Sequence, residues 1–153
     1  MISSVLRKTV FFKAIALLVL SWLVICIVYF SLRSSPHLLE TGWMPDWLGK
    51  WADRNGELRT VVPYIFASII WSTIVISNKG DQTNGASLSR LILGCSILFG
   101  LLVVTELWQL FLPLRSTSWG DIGWGSVGIL LGLGFGLLFG LLKQFWSQRK
   151  VSS

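Results

Sequence analysis

Polar and apolar positions are sharply segregated along this chain. Four stretches, about 10–30, 61–77, 91–112 and 122–142, are almost wholly apolar, and residues 14–30 carry no charge at all. Runs of 17 to 22 residues rise about 26–33 Å as helices, close to the ~30 Å thickness of a bilayer's hydrocarbon core. Backbone amides and carbonyls cannot be left unpaired in hydrocarbon, so each run is expected to be helical. Thr60 is placed to cap the second run and Pro63 falls in its first turn, where a missing N–H costs little. Pro113 closes the third run. The pattern predicts an all-α protein, a four-span transmembrane helical bundle forming one domain over 1–153.

The segments between the runs differ in character. The longest, 31–60, carries Trp43, Trp47 and Trp51 at intervals of four, with Met44 and Leu48 beside them and Asp46, Lys50, Asp53 and Arg54 behind. On a helix those indoles form one stripe. The expected form is a short helix in the outer interface, or a lid on the bundle, and the two are compatible. Residues 78–89, rich in Gly, Asn, Gln and Ser, read as a polar inner connector. In the fourth run Gly128, Gly132, Gly136 and Gly140 repeat every four residues. They leave a groove that a second helix backbone can enter, from the same chain or from another copy.

Composition narrows the class further. Of 153 residues, 53% are hydrophobic and 13% charged, and mean hydropathy is +0.69. Disordered chains and ordinary soluble domains are more polar. If the four runs cross a membrane, one side collects eight basic residues and one acid (net +7) and the other five basic and six acidic (net −1). The asymmetry predicts a multi-pass protein of the cytoplasmic (inner) membrane with both termini in the cytoplasm. The overall charge of +6 therefore reads as anionic lipid contact, not nucleic acid. The first run exceeds a signal peptide's apolar segment, and Ser31-Leu32-Arg33-Ser34 is a poor cleavage site, so a retained anchor is expected. Cys26 and Cys95 lie within apolar runs with no neighbouring Cys or His, which argues against a disulfide or thiolate metal site. No cofactor and no metal are expected.

Candidate chemistry gathers around the third run's end. Glu106 is the one acid inside a run; Gln109 shares its helix face, Arg115 follows Pro113, and Asp121 opens the fourth run. Ionisable residues in a span generally face a bundle interior or a polar cavity. One reading is structural: Glu106 pairs with Arg115, while Gln109 and Asp121 cap or cross-link helices around the turn. The other is an outward-opening polar pocket. There Arg115, with Arg59 at the mouth of the second span, takes a phosphate or carboxylate. Glu106 and Gln109 contact sugar hydroxyls or an ammonium, and Trp108, Trp119 and Trp124 supply aromatic walls. Glu106 and Asp121 also form a carboxylate pair capable of acid–base work if burial raises one pKa. His37, in the outer loop, has no recognisable serine–acid partner.

The spacing Glu106-x2-Gln109-x-Phe111-x-Pro113-x-Arg115, followed by Asp121, Gly128 and Gly132, resembles the VanZ-like family of membrane proteins. Two positions depart from the family pattern. Gly125 stands where members usually carry Asn, and Asp53-Arg54-x2-Glu57 replaces an Asp-Lys-x2-His element. The family is named for a protein associated with low-level teicoplanin resistance, and no general reaction is established for it. The resemblance implies a role at the outer membrane face, in the cell envelope. The expected function is binding of an anionic lipid or envelope glycolipid head group. Alternatives are a membrane hydrolase or transferase acting on a lipid-linked precursor, and a structural partner of another membrane protein or of a second copy docking on Gly128–Gly140. Enzymatic activity is left open by the residues.

Overall fold

A computed structural model describes residues 2–33, 42, 45–76, 84–112 and 117–149. Among them every regular element is helical: α1 (Ile2–Leu32), α2 (Asp46–Arg54), α3 (Gly56–Ile76), α4 (Asn84–Trp108) with a 3₁₀ turn at Gln109–Phe111, and α5 (Trp119–Arg149). Four of these, α1, α3, α4 and α5, are long and apolar enough to cross a membrane. The architecture is an all-α bundle, as the segregated pattern predicts.

Several boundaries differ from those the apolar runs suggest, each for the same reason. Hydropathy marks where hydrocarbon begins, whereas a helix continues as long as its backbone stays paired. α3 begins at Gly56, so Thr60 does not cap it; its Oγ1 lies inside the helix and donates to the Gly56 carbonyl at 3.4 Å. Pro63 consequently sits in the second turn, where it removes the N–H that would have met the Arg59 carbonyl. α4 begins at Asn84, so the second half of the supposed polar connector is helical. α4 also ends at Trp108, four residues before the expected stop, and tightens into the 3₁₀ turn ahead of Pro113.

α3 and α5 form the tightest pair. A Cβ on Gly128 would lie 2.6 Å from the Val61 carbonyl oxygen, one on Gly132 would strike the Ile65 carbonyl, one on Gly136 the Ser72 hydroxyl, and one on Gly140 the Ile76 side chain at 2.9 Å. Partners ascend together along both helices, so α3 and α5 run parallel, and the glycine face is filled by a span of the same chain. α4 runs antiparallel to both. Trp71 of α3 lies over Gly94 and donates its indole N–H to the Arg90 carbonyl at 3.1 Å, while Leu102 fills the space beside Gly125. That last contact accounts for glycine at 125, since any side chain there displaces Leu102.

The common core consists of Ile27, Tyr64, Ala67, Leu98, Leu102 and Ile129, with Leu20 and Leu23 of α1 packed against it. Otherwise α1 is largely exposed, its outer face carrying Phe11, Leu18, Trp22 and Ile25. Such a face is at no disadvantage among acyl chains, because helices in lipid associate through close packing and hydrogen bonds instead of exclusion from water. α2 turns Gly49 and Ala52 inward and leaves Trp47 and Trp51 exposed. Trp43 and Met44, the start of the expected stripe, lie outside the described residues, as does His37. Cys26 and Cys95 are both free.

Gly132→Ala should destabilise the protein by about 1–3 kcal/mol, the usual range for overpacking. Gly134→Ala, at a position with nothing within 4 Å, should be neutral or slightly stabilising. Thermal melts of the two variants in detergent decide the matter; equal melting temperatures would contradict the packing.

Candidate polar site at the α4–α5 turn

Because α5 lies beside α3 and parallel to it, the chain must reverse between α4 and α5, and this reversal places polar groups at one end of the bundle. Trp108 and Gln109 lead into the 3₁₀ turn, which closes with the Leu112 N–H on the Gln109 carbonyl at 3.1 Å. Ser118 then starts α5. The Asp121 N–H meets both its carbonyl, at 3.1 Å, and its hydroxyl, at 3.4 Å. Asp121 lies in the first turn of α5, where the helix dipole favours a carboxylate. The Ser118 cap went unread in the sequence, although Ser-x-x-Asp before an apolar run carries that signal.

Glu106 joins the two sides of the reversal. Its side chain is buried, the residue being 5% exposed. The Gln109 Nε2 donates to its Oε1 at 3.1 Å, and the Ser118 backbone N–H donates to its Oε2 at 3.4 Å. One carboxylate thus ties the end of α4 to the start of α5. Gln109, itself buried, serves as a partner of Glu106.

Behind Glu106 stands Tyr64 of α3, 3% exposed. It reaches this place because Gly128 has no side chain: a Cβ there would lie 3.2 Å from the Tyr64 Cβ. The Tyr64 hydroxyl lies beside Thr105 and within electrostatic reach of Glu106, yet makes no hydrogen bond of acceptable geometry. Thr105 directs its own hydroxyl to the Leu101 and Leu102 carbonyls at 2.9 and 3.0 Å. The Thr117 Oγ1, one residue before Ser118, is likewise buried without a partner. Hydroxyls in this condition cost about 1–3 kcal/mol each unless something polar meets them. Sequence reasoning passed over both: a tyrosine in an apolar run reads as core, and Thr117 reads as loop.

The remaining expected site residues are distributed differently. Arg59 is in the first turn of α3, at the same end of the bundle, with its Nη1 3.9 Å from the Asp53 Oδ1 of α2. That distance and partial exposure make a weak tether. Arg115 lies outside the described residues. Trp108, Trp119 and Trp124, expected as aromatic walls, are 53%, 82% and 42% exposed. Indoles at this depth are better placed in the membrane interface than against a buried carboxylate.

At the opposite end and along the helices, hydroxyls behave as expected of a membrane bundle. Ser72 donates to the Ser68 carbonyl at 2.8 Å and Thr73 to the Ile69 carbonyl at 2.7 Å. Ser68 is the exception, its hydroxyl buried and unpartnered. A cleft of about 570 Å³ opens sideways between α4 and α5, lined among others by Leu91, Cys95, Phe99, Gly100, Ser126 and Leu133. Glu106 follows Phe99 by seven residues, two helical turns, on the same face of α4. Compared with protein-family models, with curated proteins and with solved structures, the chain matches none.

Glu106→Gln places an amide where a carboxylate oxygen accepts a hydrogen bond, so one donor is left facing a donor. The variant should lose about 1.5–3 kcal/mol, the range for hydrogen bonds to a charged group, measured by thermal unfolding in detergent. Wild-type stability in that variant would show that the carboxylate does not hold the turn.

Proposed function

We propose that this chain is a VanZ-like protein of the cytoplasmic membrane, and that its polar end faces outward and binds the head group of an anionic lipid or cell-envelope glycolipid. The observation that carries this reading is a buried carboxylate, Glu106, within electrostatic reach of the buried Tyr64 hydroxyl, which makes no protein hydrogen bond. Polar atoms in that state, inside a bundle otherwise packed with Leu, Ile and Ala, call for a polar occupant. The cleft between α4 and α5 supports a lipid as its source. It is lined mostly by apolar side chains of α4 between Leu88 and Gly100 and of α5 between Ser126 and Leu137, with Glu106 two turns beyond Phe99 on α4. A chain lying in the cleft brings its head group to the Glu106 end.

The charge asymmetry supports the orientation, since it leaves the basic excess with the two termini. Arg115 and Arg59 supply the cations for a phosphate or carboxylate at the rim. Their planar forks suit such groups better than a lysine would. The VanZ-like assignment rests on the spacing Glu106-x2-Gln109-x-Phe111-x-Pro113-x-Arg115, with Asp121 following.

Mass spectrometry of lipids retained by the purified protein tests the proposal. Wild type should hold anionic envelope lipids selectively, and Arg115→Ala should retain about tenfold less or lower, the loss expected for a charge-assisted contact. Identical lipid profiles for the two proteins would remove the head-group reading.

A further inference from the structure

α2 presents a surface of its own at the Glu106 end of the bundle. We infer that its exposed face, formed by Trp47, Lys50, Trp51 and Arg54, docks on the anionic phospholipid head groups of the leaflet at that end. The inference is independent of any ligand at Glu106. It rests on the four apolar helices that suit the chain to a bilayer, one of which, α3, begins at Gly56. α2 ends at Arg54, so it is held at the level where that span meets the head-group layer. Asn55 fixes the break between them, its backbone N–H and its side-chain amide donating to the Trp51 carbonyl at 3.0 and 2.8 Å.

The two sides of α2 differ. Gly49 and Ala52 are buried, whereas Trp47 is 71% and Trp51 42% exposed. At about 100° per residue, Lys50 and Arg54 lie within about 80° of the mean direction of the two indoles, while Asp46 and Asp53 lie about 120° and 140° from it. The cations therefore flank the indoles, and the acids fall toward the back. Asp53 is further withdrawn by Arg59, 3.9 Å away. Lys50 and Arg54 are exposed, and neither forms an ion pair among the described residues. Indoles suit head-group depth because one part of the ring is apolar and its N–H is polar. The flanking charge then selects the surface. Zwitterionic head groups accommodate the indoles and give the cations no net attraction; anionic head groups meet both.

The test uses the full chain with Cys26 and Cys95 replaced by alanine and a nitroxide spin label on Trp47→Cys, Trp51 keeping its indole. Nanodiscs contain phosphatidylcholine alone or mixed equally with phosphatidylglycerol. Electron paramagnetic resonance reads how far lipid-soluble oxygen and a water-soluble nickel chelate reach the label. With phosphatidylglycerol the label should meet oxygen in preference to nickel, and less so in phosphatidylcholine alone. Lys50→Gln and Arg54→Gln should each lower the docked-to-free ratio about fivefold in the anionic discs, the worth of one basic residue at such a surface. A label open to nickel in both lipids overturns the inference, because the face then looks into water. A label equally shielded in both lipids and in the charge variants also overturns it, because the indoles then settle in the interface whatever the charge of the lipid.

Discussion

The approach of α3 to α5 depends on four missing Cβ atoms. At Gly128, Gly132 and Gly136 the backbone of α5 comes so near α3 that even alanine would meet a carbonyl oxygen or the Ser72 hydroxyl, and at Gly140 it would meet Ile76. In a bilayer, where lipid tails are as apolar as leucine, such close contact replaces exclusion from water as the source of helix association. Two parallel helices cannot be joined by a tight turn. α4 therefore returns between them, and both of its connections must reverse the chain at a bundle end. The α4–α5 reversal is the one that carries Glu106 and Gln109.

Polarity there follows from what a reversal in a membrane requires. Where α4 stops and α5 begins, backbone groups lose their helical partners, and at this depth they need others. Glu106 accepts the Ser118 N–H, and the Ser118 carbonyl and hydroxyl accept the Asp121 N–H. The structural reading of Glu106 is the one the hydrogen bonds express: its carboxylate fastens the turn. The same fastening keeps it within electrostatic reach of Tyr64, whose hydroxyl is buried without a hydrogen bond.

The bundle was legible because lipid allows so few alternatives. Runs free of charge had to be helices, and Pro113 had to interrupt one. Helix ends were less legible: Thr60, read as a cap, lies inside α3, since polar residues outside hydrocarbon extend a helix without changing its apolar pattern. The glycine repeat in α5 announced a close neighbour, but α3 emerged as that neighbour only from the contacts at Val61, Ile65 and Ser72. Glu106 and Gln109 were conspicuous as polar residues in an apolar run. Tyr64 was not, because an aromatic ring in a span is ordinary, and its significance lies in an unmet hydroxyl that no one-dimensional pattern records.

The central claim is that α3 and α5 of a single chain touch along the glycine face of α5. A disulfide between Ile76→Cys and Gly140→Cys, in a chain where Cys26 and Cys95 are replaced by alanine, probes it directly. The atoms that a Cβ at position 140 would meet belong to the Ile76 side chain, the nearest at 2.9 Å, so replacing Ile76 by the smaller cysteine makes room for the bond. Mild oxidation should join the two cysteines within one chain, identified by mass spectrometry of the linked peptides from monomeric protein. A pair that stays reduced, or that links two chains, would contradict the account.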